Sequence, residues 1–281
     1  MRVGYLGPAG TYSEEALRAS APEGVEEVPY PTIYDVVMAA QEGEVDRVVV
    51  PIENALEGAV AVTLDTLALD ATDLRIVAEV VHPIHHCLVA ARELDLADVT
   101  RVVSHPQATA QCRTFLREHL AAAERVVAPS TADAVLSVRD SPGPEVALGS
   151  RLAAELYGCR ILVADVEDHP DNATRFVWLA SAADAGEPRA DGKTSLVFWG
   201  GGDQSPGWLV HALREFADRG VNLTRIESRP RRTSLGHYMF FVDLEGGAAD
   251  PRVGEALDAL GGQVEELRVL GSYTNASGSP G

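Results

Sequence analysis

Short β-like runs alternate with amphipathic stretches through the first two thirds of the chain. VGYLG precedes TYSEEALRASA, VEEVPY precedes TIYDVVMAAQEG, and DRVVVPI leads into AVAVTLDTLAL. RVVSH with PQATAQCRTFLREHL, RVVAPS with TADAVLSVRDS, and EVALGS with RLAAELYG follow. Such alternation predicts an α/β fold with a largely parallel sheet. Two runs break the pattern. LRIVAEVVHPIHHCLVA, residues 74–90, is too long and too β-like for one buried strand, and TRFVWLA, residues 174–180, is a late strand with no helix behind it. Together they predict two lobes between which the chain crosses twice. Lobe 1 is expected at about 1–76 plus 166–181 and lobe 2 at about 77–165, within a first domain of residues 1–181. A ligand cleft is expected between them, outside the carboxyl ends of the strands.

The small, polar, Gly- and Pro-broken stretch AADAGEPRADG, residues 182–192, reads as a linker. Beyond it the order changes. KTSLVFW reads as a strand and PGWLVHALREFADRG as a helix; NLTRIESR and HYMFFVDLEG read as consecutive strands. DPRVGEALDALGG predicts a helix with Asp250 as N-cap and Pro251 at its first position, and VEELRVLGSY closes the set. The order βαββαβ over residues 193–273 predicts a small ferredoxin-like domain. The tail at 274–281 is expected to be disordered.

Composition narrows the chemistry. No window approaches about eighteen uninterrupted apolar residues, and the N-terminus lacks the features of a signal peptide, so a cytoplasmic protein with no membrane contact is expected. That setting disfavours reading Asn172-Ala173-Thr174 as a glycosylation acceptor. The net charge of −19, with no basic stripe, argues against nucleic acid as a partner. An anionic ligand would have to be held by local donors. The chain has a single lysine, Lys193, at the end of the linker, which disfavours Schiff-base and Walker-type chemistry. Cys87, Cys112 and Cys159 are odd in number and far apart, and read as buried thiols. His82, His85, His86 and Cys87 invite a metal reading, but His85 and His86 would point to opposite faces of a strand. No complete ligand set accompanies them, so no metal is expected. WGGGDQSPG, residues 199–207, lacks the spacing of a dinucleotide fingerprint.

Polar clusters recur at strand-to-helix junctions, where doubly wound folds bind ligands. Gly7 to Ser13 opens the first helix, and its N–H groups and hydroxyls suit an anion. Pro51-Ile52-Glu53-Asn54 follows the third strand. Ser104-His105-Pro106-Gln107-Ala108 opens another helix, with a histidine able to relay a proton. GPAGTYS, PIEN, SHPQA and NATRF, in this order, resemble the motifs of prephenate dehydratase. The small domain resembles the ACT regulatory domain attached to that enzyme, with ESRP at Glu227-Ser228-Arg229-Pro230. The likeness runs from residue 3 to about residue 273, in the form that lacks a chorismate mutase segment.

This resemblance implies a bilobal catalytic domain like type II periplasmic binding proteins, followed by an ACT domain. It implies decarboxylative dehydration of prephenate to phenylpyruvate, needing no cofactor because ring aromatisation drives it. Thr174 would act on the leaving hydroxyl, with His105 and Glu53 as candidate proton partners. Thr11, Ser13, Asn54, Ser104, Gln107, Asn172, Arg175 and Phe176 would bind substrate, with Arg175 as the fork for a carboxylate and Phe176 packed beneath the site. Phenylalanine would bind as effector between paired small domains, in a dimer or tetramer, near Pro206, Gly207, Trp208, Leu209, Asn222, Leu223, Glu227 and Ser228. Family members commonly carry a small residue at the position of Trp208, so its indole is expected either to narrow the effector pocket or to pack at the domain interface. The alternatives are an arogenate dehydratase, acting on the transaminated substrate, and a non-catalytic amino-acid sensor.

Overall fold

The computed structural model describes residues 1–187, 189–202 and 205–274. The first domain opens with β1 (Arg2–Leu6), α1 (Tyr12–Ser20), β2 (Glu26–Tyr30), α2 (Ile33–Gln41), β3 (Arg47–Asn54), β4 (Gly58–Ala59), α3 (Ala61–Leu69) and β5 (Leu74–Pro83). It continues through β6 (Cys87–Ala90), β7 (Arg101–Ser104), α4 (Pro106–Gln111), α5 (Arg113–His119), β8 (Glu124–Val127), α6 (Thr131–Arg139), β9 (Glu145–Gly149), α7 (Arg151–Leu156) and β10 (Arg160–Val163), and ends with β11 (Ala173–Ser181). The small domain is β12 (Lys193–Trp199), α8 (Trp208–Ala217), β13 (Leu223–Pro230), β14 (Tyr238–Glu245), α9 (Pro251–Gly261) and β15 (Glu266–Tyr273). Its βαββαβ order is the one its pattern predicts, and Asp250 caps α9 by accepting from Arg252 N. Of the tail expected at 274–281, all but Thr274 lies outside the described residues.

Each lobe has its own sheet. The first runs β2-β1-β3-β11-β5, with β4 on the end of β3; the second runs β10-β6-β9-β7-β8. The parallel sheet expected from the βα alternation is present in β1–β3 and β7–β9. The late strand β11 departs from it, lying antiparallel between β3 and β5. The crossing comes later than the expected boundary near residue 76. β5 stays paired with β11 from Leu74 to Pro83, so lobe 1 keeps the whole strand. On the return, Val166 is buried in the core of lobe 2 with Leu88, Val102 and Leu148. The pairing carries on through a bulge at Val77, and the chain changes lobes only after Pro83.

The lobes meet at the loop before α1. Ser150, the N-cap of α7, donates to Gly10 O at 2.8 Å, and Tyr157 Oη donates to Ala9 O at 2.6 Å. Gly10 has φ +88°, and a Cβ there would lie 2.9 Å from Ala153, so a side chain would force α7 off the loop.

The small domain's four-stranded antiparallel sheet, β13-β14-β12-β15, buries both faces. Leu196 and Phe198 point toward α8 and α9, with Phe216, Val253 and Leu260. Val197, between them, points into the core of lobe 1 with Met239, Phe241, Val50, Leu64 and Ile76. Period-two alternation thus places one strand in two cores. No helix among the described residues is long and apolar enough to cross a membrane.

Candidate functional site

A cavity of 370 Å³ opens between the lobes at the strand-to-helix junctions. β1 delivers Leu6, α1 delivers Thr11, Tyr12 and Ser13, and β3 delivers Pro51 and Asn54. From lobe 2 come His86, then His105, Gln107 and Gln111 around α4, and Ser130 and Thr131 at the start of α6; β11 adds Thr174 and Phe176. Among the described lining residues, none carries a carboxylate, an ammonium or a guanidinium. Positive potential instead comes from the N-terminal ends of α1 and α6, whose first-turn N–H groups have no intrahelical acceptor. Leu6, Ile33, Val60, Ile84 and Phe176 make the remaining wall apolar.

Beneath this surface runs a buried hydrogen-bond network with a determinable direction. Leu56 N and Glu57 N both donate to Asn54 Oδ1 at 3.0 Å, which identifies that oxygen and leaves Nδ2 as donor. Asn54 Nδ2 donates to Thr174 Oγ1 at 2.9 Å and to Asn172 Oδ1 at 3.0 Å. Asn172 Nδ2 in turn donates to Gln111 Oε1 at 3.1 Å. His86 Nε2 lies 2.9 Å from the same oxygen, so the proton of the neutral ring sits on Nε2, and Nδ1 is an acceptor 2.8 Å from Tyr12 Oη, whose one hydrogen it shares with the His85 carbonyl, also at 2.8 Å. Burial lowers the His86 pKa, keeping the ring neutral, and burial together with the Glu15 carboxylate raises the Tyr12 phenol well above its ordinary value. Two consequences follow. The acceptor side of Thr174 is occupied, so its own hydroxyl hydrogen is left for the cavity. Gln111 Nε2, buried and without a protein partner, is a donor left for whatever enters.

Residues 3–184 match the family model described as prephenate dehydratase, and residues 194–262 match that of the ACT domain. The chain belongs to the prephenate dehydratase family. It is 38% identical to the prephenate dehydratase of Amycolatopsis methanolica over 99% of this chain and 90% of that one. A solved prephenate dehydratase from Arthrobacter aurescens, in complex with L-Phe, is 38% identical with a TM-score of 0.91, covering 100% of this chain and 92% of that chain. A structure described as a novel type of quorum-quenching acylase is 34% identical with a TM-score of 0.87, covering 99% and 98%.

Most of the dehydratase motif residues singled out in the sequence gather at the cavity: Thr11, Ser13, Asn54, His105, Gln107, Thr174 and Phe176 line it. Asn172 sits in the network just beneath. Ser104 is buried and donates to the His105 carbonyl instead of lining the space. His105 caps α4, its Nδ1 accepting from Gln107 N at 3.3 Å. Arg175 and Glu53 do not fit the roles expected of them. They are cross-strand partners on β11 and β3, one position along from the Thr174–Asn54 pair, and therefore face the opposite side of the sheet. Arg175 Nε donates to Glu53 Oε2 at 3.1 Å, on the side toward the small domain. It is not the carboxylate fork of the cavity, and Glu53 is not a proton partner of Thr174. His86 was weighed only as a metal ligand and Tyr12 only as part of the Gly7–Ser13 cluster, and Gln111, Ser130 and Thr131 were not singled out. Gln111 was findable, since it lies four residues after Gln107 on one helical face. His85, Asp165 and Glu167 bring possible ligand atoms within 4.8 Å of one another. Their groups already have partners: Arg151 binds Asp165, and His85 Nδ1 and His86 N both meet Glu167.

The small domain has a second cavity, of 230 Å³, lined by Gly207, Trp208, Leu209, Tyr238 and Phe240 among others. Trp208 packs on Phe198 and Phe240, with ring centroids 6.0 and 5.8 Å apart, and so both fills the helix-side core and walls the cavity. Pro206, Asn222 and Leu223 are not in the lining. Ser228 pairs with Phe240 on the cavity's side of the sheet, whereas Glu227 pairs with Phe241 and faces lobe 1.

Proposed function

We propose that the cleft binds prephenate and converts it to phenylpyruvate, carbon dioxide and water, with Thr174 as hydrogen-bond donor to the departing oxygen. The supporting observation is the Asn54 Nδ2 to Thr174 Oγ1 hydrogen bond of 2.9 Å, which turns the threonine hydrogen toward substrate. In the elimination the bond from ring carbon to carboxylate breaks and its electron pair enters the ring. The carbon–oxygen bond breaks as that pair arrives, and the leaving hydroxide takes one proton to become water. A threonine hydroxyl is too weak an acid to supply this proton without replacement, so Thr174 relays one that comes ultimately from solvent, the net reaction consuming one proton per prephenate dianion.

The neutral lining suits this chemistry. Donors without charge, from Gln111, Gln107 and the first turns of α1 and α6, hold the dianion without locking the carboxylate that must leave. Substrate preference follows from the same inventory. Arogenate carries an ammonium, and no described lining residue is a carboxylate to pair with it. Acyl transfer by Thr174 would need a base at Oγ1, and its partner there, the Asn54 amide, cannot take up a proton.

In the small domain, phenylalanine is the ligand of the Trp208–Phe240 cavity, and two copies of this chain associate through that region, where Val210, Ile226 and Tyr238 are exposed. The test of the main reading mixes purified protein with prephenate at neutral pH and follows phenylpyruvate. Wild type should turn over, and Thr174→Ala should retain its fold while losing about a hundredfold to a thousandfold in kcat. No product from wild type, or equal rates from both, would overturn the assignment. Arogenate offered in parallel reports the alternative substrate.

A further inference from the structure

Thr174 and Phe176 of the family motif face the cavity, while Arg175 between them reaches the small domain. Arg175 Nη2 lies 2.6 Å from Asp243 Oδ2 on β14, and Nη1 lies 3.2 Å from Glu79 Oε2 on β5. The side chains are 10%, 2% and 1% exposed for Arg175, Asp243 and Glu79. Asp243 also accepts from Arg225 Nε at 2.9 Å and Ser195 Oγ at 2.6 Å, and the lone lysine, Lys193, binds Glu79 at 2.9 Å. The seam thus balances Glu53, Glu79 and Asp243 against Arg175, Arg225 and Lys193.

Two features make this more than an adhesive contact. The β11–β3 ladder shifts register between Arg175 and Phe176, with Ile52 the extra residue, so β3 is irregular just before it presents Asn54 to Thr174. Arg175 is the side chain that anchors β11 there. In addition, β14 carries Tyr238 and Phe240 on the wall of the small-domain cavity and Asp243 three residues beyond Phe240, on its opposite face. One short strand therefore touches the effector cavity and the anchor of the catalytic strand.

We propose that Asp243 is a positioning residue for the dehydration, acting through Arg175 to set Thr174 against Asn54, and that β14 is the element through which the small-domain cavity biases the cleft. This rests on the dehydratase reading above. Asp65 supplies the control. It also ties the domains, through Arg229 at 2.8 and 3.0 Å and through Arg232 at 2.6 Å, but it lies on α3 and these partners belong to the small domain, not to β11.

The experiment measures kcat, KM and the phenylalanine response for wild type, Asp243→Asn and Asp65→Asn. Asp243→Asn should lower kcat about tenfold with KM little changed, and the ratio of rates with and without phenylalanine should move toward one. Asp65→Asn should lower only the unfolding midpoint. Equal loss of stability in the two variants, with kcat of Asp243→Asn unchanged, would overturn the proposal. If Asp243→Asn does not fold, Arg175→Lys keeps the charge but not the fork, and the same kcat loss is expected; an unchanged kcat there would overturn it as well. A wild type that makes no phenylpyruvate would instead remove the reading of the cleft on which this rests.

Discussion

The two faces of β11 contrast sharply. Toward the cleft, Thr174 and Phe176 meet amides, hydroxyls and helix ends, with no charged side chain among the described lining. Toward the small domain, Arg175 sits among three carboxylates. The first face leaves Gln111 Nε2 without a protein partner, while the second directs Arg175 Nε, Nη1 and Nη2 to carboxylates. An uncharged surface beside a cavity is prepared for a ligand, and one whose charges face charges of opposite sign, even with Arg225 Nη1 left unpaired among them, is prepared for another part of the protein. Adjacent residues of one motif can therefore serve different purposes, and a motif's charge need not face its substrate.

This contrast predicts separable effects. Arg175→Ala would remove one cationic partner from each of the buried carboxylates Asp243 and Glu79, leaving Arg225 beside the first and Lys193 beside the second, and should lower stability by at most about 3–5 kcal/mol in urea unfolding. An unchanged midpoint would mean that the seam is not balanced by Arg175. Thr174→Ala should show the reverse: a kcat loss worth about 3–4 kcal/mol in barrier with a stability change of at most about 1 kcal/mol. A large stability loss with normal turnover would erase the distinction between the faces.

The seam should also set the acid limit of the fold. Burial alone would raise the Asp243 carboxyl, but the Arg175 and Arg225 guanidiniums and the Ser195 hydroxyl outweigh it and bring the pKa to about 2. A carboxylate lowered from the ordinary value near 3.8 adds stability in full above that value and loses it as pH falls toward 2. The loss should be about 2 kcal/mol between those limits and absent in Asp243→Asn. Equal acid sensitivity in the two proteins would locate the effect elsewhere. The smallest effect is expected at Trp208. Trp208→Ala should change the phenylalanine concentration needed for half response by about tenfold or less while leaving basal kcat alone, read by effector titration. An unchanged titration would confine the indole to packing.

What was legible in the chain followed from topology. Strand-to-helix junctions at the carboxyl ends of strands converge by construction, and this placed Thr11, Asn54 and Gln107 at one cleft, whereas Thr174, at the start of a strand with no helix behind it, was placed there only by the likeness to the prephenate dehydratase motifs. The βαββαβ order and the Asp250 cap were equally local signals. The assignment failed at Arg175 and Glu53 because the motif was treated as a unit, whereas a strand separates neighbours to opposite faces. Counting parity from Thr174 would have placed both residues away from the cleft. Asp243 was beyond sequence reasoning altogether: it stands 68 positions from Arg175, and only the docking of one sheet against another joins them. The pairing of His86 with Tyr12 was hidden for a similar reason, since their contact spans the two lobes.

The most direct measurement is the kcat of Thr174→Val at saturating prephenate, with wild type beside it and an unfolding curve for each. Valine keeps the branched shape and removes the hydroxyl. The account predicts a folded protein whose turnover is lower by about a hundredfold or more; turnover within about twofold of wild type would show that the hydroxyl held by Asn54 is not what carries the reaction.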